Sequence, residues 1–439
     1  VHEANRWLAW GLPALLFLIA FLHRPAPGVI AGELMQDFGA TGATIGLLSA
    51  TYYYGYAGLM VPAGVLVDLF GVRRVVAAGG AVMGLGTLAM SLASTQAVLF
   101  AGRLAIGLGG SVTFIGAVKV AATRFPASRF GTLSAVTASA GILGGVIGTA
   151  PLAGLVSVAG WRGAFLLIAC LTVACAVGCY SVGRDHPEGL DGSEGGGPRF
   201  QAVRVGMRAV FANPHTWPPF LAFLFLSSAS YNLMLWVVPC LRDLYGLSTT
   251  RAAVYATANP LASLVASPLT GFVSDRIVRR RKLPYAVLTL ALSGLWGVLV
   301  VMLGALPLPG LYALLFATGL VGSAFVLSWP IGREVNPPHL AGIAVAVVNM
   351  GGFLGIALSQ GPVGALLDAR WAGAMAAGAR VYPPGAYRAA FAASALLVLV
   401  AALLTLLLRE TRCQNVYAEL RQARRRSSPP PRRGGAEAG

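Results

Sequence analysis

At 439 residues, the chain is 56% hydrophobic and only 11% charged, with a mean hydropathy of +0.73. A soluble domain carries about 25% charged residues, so most of this chain belongs in lipid rather than water. Its formal charge of +17 would suit a nucleic-acid binder, but the placement of the basic residues along the chain excludes one.

At roughly 20 residues per membrane-crossing helix, with short connections, the chain holds about twelve spans. The first covers about 7–30 and is interrupted by Pro25 and Pro27. It lacks a clear small-residue cleavage site and is followed by many more apolar runs, which argues against a cleaved signal. The second covers about 45–67, the third about 75–92 and, after the polar break 94–96, the fourth about 98–122. A basic turn at 124–129 leads to the fifth, about 133–158. That span carries Gly141, Gly144, Gly145 and Gly148 at spacings suited to close helix contact. Trp161 and Arg162 mark the outer interface, and the sixth span reaches about Val182. Residues 183–213 change character, acidic and Gly-rich at 185–197 and basic at 199–208, with Val203, Met207 and Val210 at helical spacing. They are expected to form a partly helical linker between two six-span halves, 1–182 and 214–409. Spans seven to twelve cover about 217–241, 252–273, 285–306, 311–331, 341–367 and 389–408. The tail 410–439, basic and Pro-rich at 427–433, is expected to be disordered.

Of the 32 Lys and Arg residues, this topology puts 23 in one set of loops and tails and 6 in the opposite set. Arg24, Arg103 and Lys119 remain inside spans. Such an excess marks the cytoplasmic side, so both termini are expected there, in a multi-pass protein of the cell (inner) membrane. Basicity sets orientation, and no nucleic-acid partner is expected. Cys170, Cys175 and Cys179 share one apolar span, Cys240 ends another and Cys413 follows the last. None has metal-ligand spacing, so they are read as small core residues, and neither a metal nor a cofactor is expected.

One stretch returns. Gly64–Arg74 reads GVLVDLFGVRR, and 271–282 reads GFVSDRIVRRRK. Asp68 and Asp275 stand 207 residues apart, close to half the chain, each four residues after a Gly and so on the same side of a helix end. The Gly lets a neighbouring helix approach closely. The Asp can receive a helix N-terminus or an Arg. The basic residues that follow, Arg73 and Arg74 in one copy and Arg276 onward in the other, hold the loop on one side of the membrane. Two such stretches at matching places in two apolar halves point to a duplicated transporter.

These residues resemble the signature G-x-L-x-D-x-x-G-x-R-R of the major facilitator superfamily of secondary transporters, matched at Gly64, Leu66, Asp68, Gly71, Arg73 and Arg74. Leu69 departs from the Arg usual after the Asp. Arg103, Gly107 and Gly109 match the family's R-x-x-x-G-x-G in the fourth span. Pro151–Gly154 with Gly160-Trp161-Arg162 and Phe165, and Glu334-Val-Asn-Pro-Pro with Val348-Asn349-Met350-Gly-Gly, look like its organic-anion members. Leu408–Thr411 resembles a common ending of the last span. The resemblance covers almost the whole chain. It implies an all-α integral membrane fold, with twelve transmembrane helices in two pseudo-symmetric six-helix bundles that rock around one central cavity. It also implies that Arg103 caps carbonyls in helix packing or coupling. Asp68 and Asp275 with their basic loops are expected to latch the cytoplasmic side when the protein opens outward.

Charged groups at membrane depth are functional by default. None of the fifteen acids falls clearly in mid-membrane; Asp68, Asp275 and Glu334 are placed at helix ends or cytoplasmic loops, and Glu33, Asp37, Asp243 and Asp368 on the outer side. The buried charges are positive. Arg24, beside His23, either snorkels to headgroups or binds a substrate anion, and similar family members carry an Arg in the first span that faces the cavity. Lys119 either snorkels or contacts ligand. Tyr52 and Tyr56 share a face of the second span, and Tyr231, Asn232, Trp236, Asn259, Trp329 and Asn349 offer further polar or aromatic contacts. Each could be an ordinary interhelical contact. Together around an Arg they suit a small carboxylate-bearing solute.

The resulting expectation is a secondary active transporter, monomeric in the lipid bilayer, for a small anionic or carboxylate-bearing metabolite. Coupling would come from a proton carried with the substrate, from a counter-anion, or from His23 titrating. Efflux of a drug or siderophore through the same fold is the alternative, although cationic-drug pumps of this superfamily tend to use a buried acid. A membrane sensor would need an attached soluble domain. An enzyme would need converging catalytic groups, whereas His2, His23, His186, His215 and His339 are scattered.

Overall fold

The computed structural model describes residues 2–182 and 196–427. Most of the acidic linker and the Pro-rich end of the tail lie outside the described residues. Among those described, eleven helices are long and apolar enough to cross a membrane, and a bent pair makes a twelfth span. Spans 1–6 are Asn5–Leu22, Gly42–Met60 with Pro62–Phe70, Val72–Ser91, Gln96–Arg124, Ser128–Ile147 and Ala150–Val182. Spans 7–12 are Pro214–Tyr245, Thr249–Val278, Lys282–Met302, Leu308–Glu334, Pro338–Asp368 and Pro384–Leu406. Span 2 bends by 55° at Pro62, where the ring removes a backbone donor and crowds the preceding turn.

Two local breaks shape the first half. Span 1 stops at Leu22, and the chain restarts as short helices Ala26–Val29 and Ala31–Phe38; Pro25 and Pro27 deprive the intervening turn of ladder donors. Within Ala150–Val182, Gly160 takes φ 68° and ψ 163°. Residues 150–159 therefore extend span 5 to a turn, and span 6 returns from Trp161. Trp161 and Arg162 reach Asp37, and Arg162 also donates to the carbonyl of Ala93. Small residues set the spacing of spans 1 and 5: a Cβ on Gly144 would lie 2.0 Å from the Leu18 carbonyl oxygen, whereas Gly145 faces open space.

The halves meet where span 2 lies antiparallel on span 11 and the short helix Ala26–Val29 lies on span 7. We call the face carrying both described ends of the chain the terminal face, and the opposite one the distal face. At the distal end the contact is backbone on backbone. A Cβ on Gly46 would sit 2.2 Å from the Gln360 carbonyl oxygen, and one on Gly28 2.3 Å from that of Leu235. At mid-height rings of Tyr53 and Tyr56 meet Phe353, and below them Asn349 reaches the Met60 thioether at 3.4 Å. Nearer the terminal face, Gly58 and Gly64 have nothing within 4 Å. This corrects the expected role of Gly64, and of Gly271, which is equally open: neither is a close-approach point in this conformation.

The linker's described part is the helix Gly196–Phe211, whose Val210 is buried beside span 11. The described part of the tail, up to residue 427, departs from the disorder expected of it. Residues 417–427 are helical, the Val416 amide donates to the Glu334 carbonyl at 2.9 Å, and Leu420 packs on the core. These contacts supply the burial that composition alone does not reveal.

Candidate functional site

The break in span 1 puts His23 and Arg24 on a turn rather than a helix, and an unwound turn exposes carbonyls that need donors. Arg103 supplies them, donating from Nη1 to the His23 carbonyl at 2.8 Å and from Nε to the Leu48 carbonyl at 3.4 Å. Tyr52 donates its hydroxyl to the Ala20 carbonyl at 3.0 Å. The turn is thus fixed from spans 2 and 4, and its two charged-type side chains point apart. His23 turns into the first half, with Nε2 3.1 Å from the Thr87 hydroxyl and its ring beside Phe165.

Arg24 turns to the junction of the halves and is only 4% exposed. Its Nη1 donates to the Tyr231 hydroxyl of span 7 at 3.0 Å, and its Nε to the Tyr52 hydroxyl at 3.5 Å. Ring faces cover the rest: the guanidinium carbon lies 3.4 Å from the Phe21 centroid, 5.1 Å from that of Phe353 and 5.2 Å from that of Tyr56. Cation–π contacts of this kind stabilise a cation by about 0.5–2 kcal/mol each. None supplies a negative charge. Among the described residues no carboxylate pairs with Arg24, and its Nη2 is buried without a hydrogen-bond partner. The Tyr53 hydroxyl, whose ring lies 5.5 Å from that of Tyr231, is likewise buried and unpaired. The centre therefore holds a positive charge and spare donors, closed in by aromatic rings where a central cavity was expected.

Of the expected ligand contacts, the structure gathers Arg24, Tyr52, Tyr56 and Tyr231 and puts Asn349 below them, against Met60. The others stand elsewhere. Lys119 pairs with Asp68 near the terminal face, both side chains being near 40% exposed (41% and 44%), because span 4 carries it about four turns beyond Arg103. Asn232 donates to Ser394, and Asn259 to Thr318, inside the second half. Trp236 lies against Tyr382 toward the distal face, and Trp329 packs with Phe223 and Phe325. Phe353 was missed, and Tyr53 was read as part of the tyrosine cluster of span 2 without being chosen as a ligand contact. Tyr53 sits in the same tyrosine run and differs from its neighbours only in which helix it faces.

The repeated stretches also resolve. Asp68 pairs with Lys119 of its own half, Arg73 lies 4.2 Å from the Tyr180 ring centroid, and Arg74 is exposed. In the second copy the partner of Asp275 is Arg281, not Arg276, which is exposed. A π-helical turn over Val273–Val278 and a left-handed Arg279 (φ 52°) swing Arg281 inward. There it is 5% exposed and donates to Glu334 at 3.1 Å and to the Ser274 hydroxyl at 3.1 Å. Glu334 was placed at a helix end, as found, but it is 2% exposed and also receives the Thr411 hydroxyl.

On the distal face a cavity of about 340 Å³ lies between the halves, lined by Met35, Arg242, Asp243, Arg380 and Tyr382 among others. Beside it Asp368, at the end of span 11, accepts the backbone N–H groups of Gly42 and Ala43 at 2.8 and 2.7 Å.

Two helical membrane-spanning halves thus meet around a broken span and a buried guanidinium that no carboxylate pairs among the described residues. Comparison with known proteins gives the family: a profile of the Major Facilitator Superfamily matches residues 14–360, and the chain belongs to that superfamily. It is a transporter and not an enzyme. The chain is 24% identical to a probable sulfoacetate transporter of Cupriavidus necator over 66% of its own length and 70% of the relative's. It is 22% identical to a probable galactarate/D-glucarate transporter of Bacillus subtilis (77% and 81%) and 25% identical to a putative tartrate transporter of Agrobacterium vitis (78% and 80%). Among solved structures it is similar to a bacterial homolog of the human lysosomal transporter Spinster in an inward-facing, unoccupied conformation. The TM-score is 0.77 and the identity 17%, covering 92% of this chain and 96% of that one.

Proposed function

We propose that the protein is a secondary active carrier that moves a small carboxylate- or sulfonate-bearing anion across the cell membrane by alternating access, taking the anion at Arg24. The observation that carries this reading is the buried guanidinium with hydroxyl and ring neighbours, an Nη2 without a hydrogen-bond partner and, among the described residues, no carboxylate partner. A buried charge lacking its counter-charge is expensive, and an incoming anion would relieve it. The Tyr53 hydroxyl offers a second donor. The relatives support the solute class, since those named above are named for sulfoacetate, galactarate or D-glucarate, and tartrate. The excess of basic residues supports placing the terminal face toward the cytoplasm, and the backbone-on-backbone contacts at the distal face fit a carrier closed there. A proton moving with the solute or an exchanged anion would supply the drive.

The test is thermal stability of the purified protein against sulfonates, mono- and dicarboxylates, amino acids and cationic drugs, followed by uptake into proteoliposomes. A solute at a hundred times its Kd stabilises by about 2.7 kcal/mol. An anion is expected to do so with the native protein, to do nothing with Arg24→Gln, and to act weakly with Arg24→Lys, which keeps charge but loses the forked donors. Stabilisation by cationic drugs alone, or anion uptake by Arg24→Gln at the native rate, would overturn the reading.

A further inference from the structure

Span 2 and span 11 run antiparallel, and each carries an aspartate at or near its end. Asp68 lies near the end of span 2 and Asp368 ends span 11. In this conformation the two are differently engaged. Asp68 is turned to Lys119 within its own half. Asp368 reaches across to the other half, where Oδ1 accepts the Gly42 N–H at 2.8 Å and Oδ2 the Ala43 N–H at 2.7 Å. These amides open span 2 after its cap, Thr41, whose hydroxyl accepts the Thr44 N–H at 3.2 Å.

The carboxylate is itself held in place. Tyr382 donates its hydroxyl to Oδ1 at 2.7 Å, and Arg380 its Nη1 to the same oxygen at 3.0 Å. Both come from the hairpin Met375–Ala376/Ala379–Arg380 and the strand end after it. A second aspartate holds that segment: Asp243 of span 7 accepts the Tyr382 N–H at 3.0 Å and the Tyr387 hydroxyl at 2.7 Å. The fit leaves no slack. A Cβ on Gly42 would lie 2.8 Å from both the Gly364 carbonyl oxygen and the Tyr382 hydroxyl, and one on Gly364 2.1 Å from the Gly42 carbonyl oxygen.

Any motion that parts the halves at the distal face must draw Asp368 off the start of span 2. We infer that Asp368, steered by Tyr382 and Arg380, is the clasp that holds the distal gate shut, and that its release is the step that opens the carrier on that face. Charge-assisted hydrogen bonds to a helix's free N–H groups hold the closed form. The carboxylate that must rebind these amides on reclosure is already positioned by the hairpin, so the clasp resets without a search. This inference rests on the alternating-access reading proposed above but not on the identity of the solute.

The experiment is hydrogen–deuterium exchange of the full chain in lipid nanodiscs without solute, comparing native protein with Asp368→Asn, Tyr382→Phe and Gly42→Ala. Losing the charge-assisted bonds in Asp368→Asn should shift the ratio of distal-open to distal-closed forms by roughly tenfold. Peptides covering 26–48 and 356–368 are expected to exchange faster, while those covering 64–75 and 338–345 slow as the terminal face closes. Tyr382→Phe should move both sets in the same directions by less. Gly42→Ala should do so without any change in charge, and gives the answer if the Asn variant fails to fold. Faster exchange at the distal peptides with no slowing at the terminal face would mean local loosening and would overturn the inference, as would no change at either. Reciprocal exchange in a protein that moves no anion would keep the clasp and remove the anion reading.

Discussion

The two copies of the Gly–Asp–basic stretch hold their aspartates in different company. Asp68 pairs with Lys119 on a half-exposed surface, where two flexible side chains gain at most about 1 kcal/mol. Asp275 is as exposed as Asp68, but its partner Arg281 is buried and shared with Glu334, Ser274 and, through its backbone N–H, Glu410. Duplication copied the spacing of the stretch without copying its environment. The first copy is an exposed pair within its half, and the second belongs to a buried network of its half.

The difference predicts effects that can be ordered. Arg281→Gln should act most strongly, because it leaves the buried Glu334 with only the exposed Arg333 at 4.0 Å; a loss of about 3–5 kcal/mol is expected, read as a fall in Tm of the purified protein. Truncation after Arg409 should come next, at about 1–3 kcal/mol, since it removes the Thr411 hydroxyl and the Val416 amide from Glu334. A truncated protein as stable as the native one would show that the tail merely lies against the second half. Asp68→Asn should act least on stability: a double-mutant cycle with Lys119→Met is expected to give about 0.2–1 kcal/mol. The same Asp68 substitution should nevertheless slow transport in proteoliposomes while the protein still reaches the membrane. Native turnover in that variant would leave the first copy no role as a latch.

Much of the fold was legible because it depends on composition and punctuation. Apolar runs gave the spans, Pro25 and Pro27 marked the break in span 1, and the Trp161–Arg162 pair marked a turn that Gly160 makes possible. Arg24 stood out because a charge among apolar residues needs a reason. What the sequence could not carry was which side chains meet across the two halves. Tyr53 and Phe353 are ordinary aromatics until span 2 is laid on span 11. Lys119 and Arg24 both read as charges at membrane depth, yet one lies at mid-height and the other reaches an aspartate near the terminal face. The run 279–282 offers four basic residues, and only the backbone turn before them decides that the third is buried. Asp368 looked like a loop acid, because a helix start has no sequence mark for the carboxylate that a distant segment brings to it.

The docking of the segment beyond span 12 bears on how the protein is made. Glu334 and Arg281 lie in place once spans 8–10 have formed, but the hydroxyl of Thr411 and the amide of Val416 reach Glu334 only from residues synthesised after the last membrane crossing. Until translation has passed that point, a nascent second half carries a buried carboxylate without its Thr411 donor and a Glu334 backbone carbonyl without the Val416 amide. Its assembly in the membrane is therefore completed from the water side, by a stretch of chain that never enters the lipid.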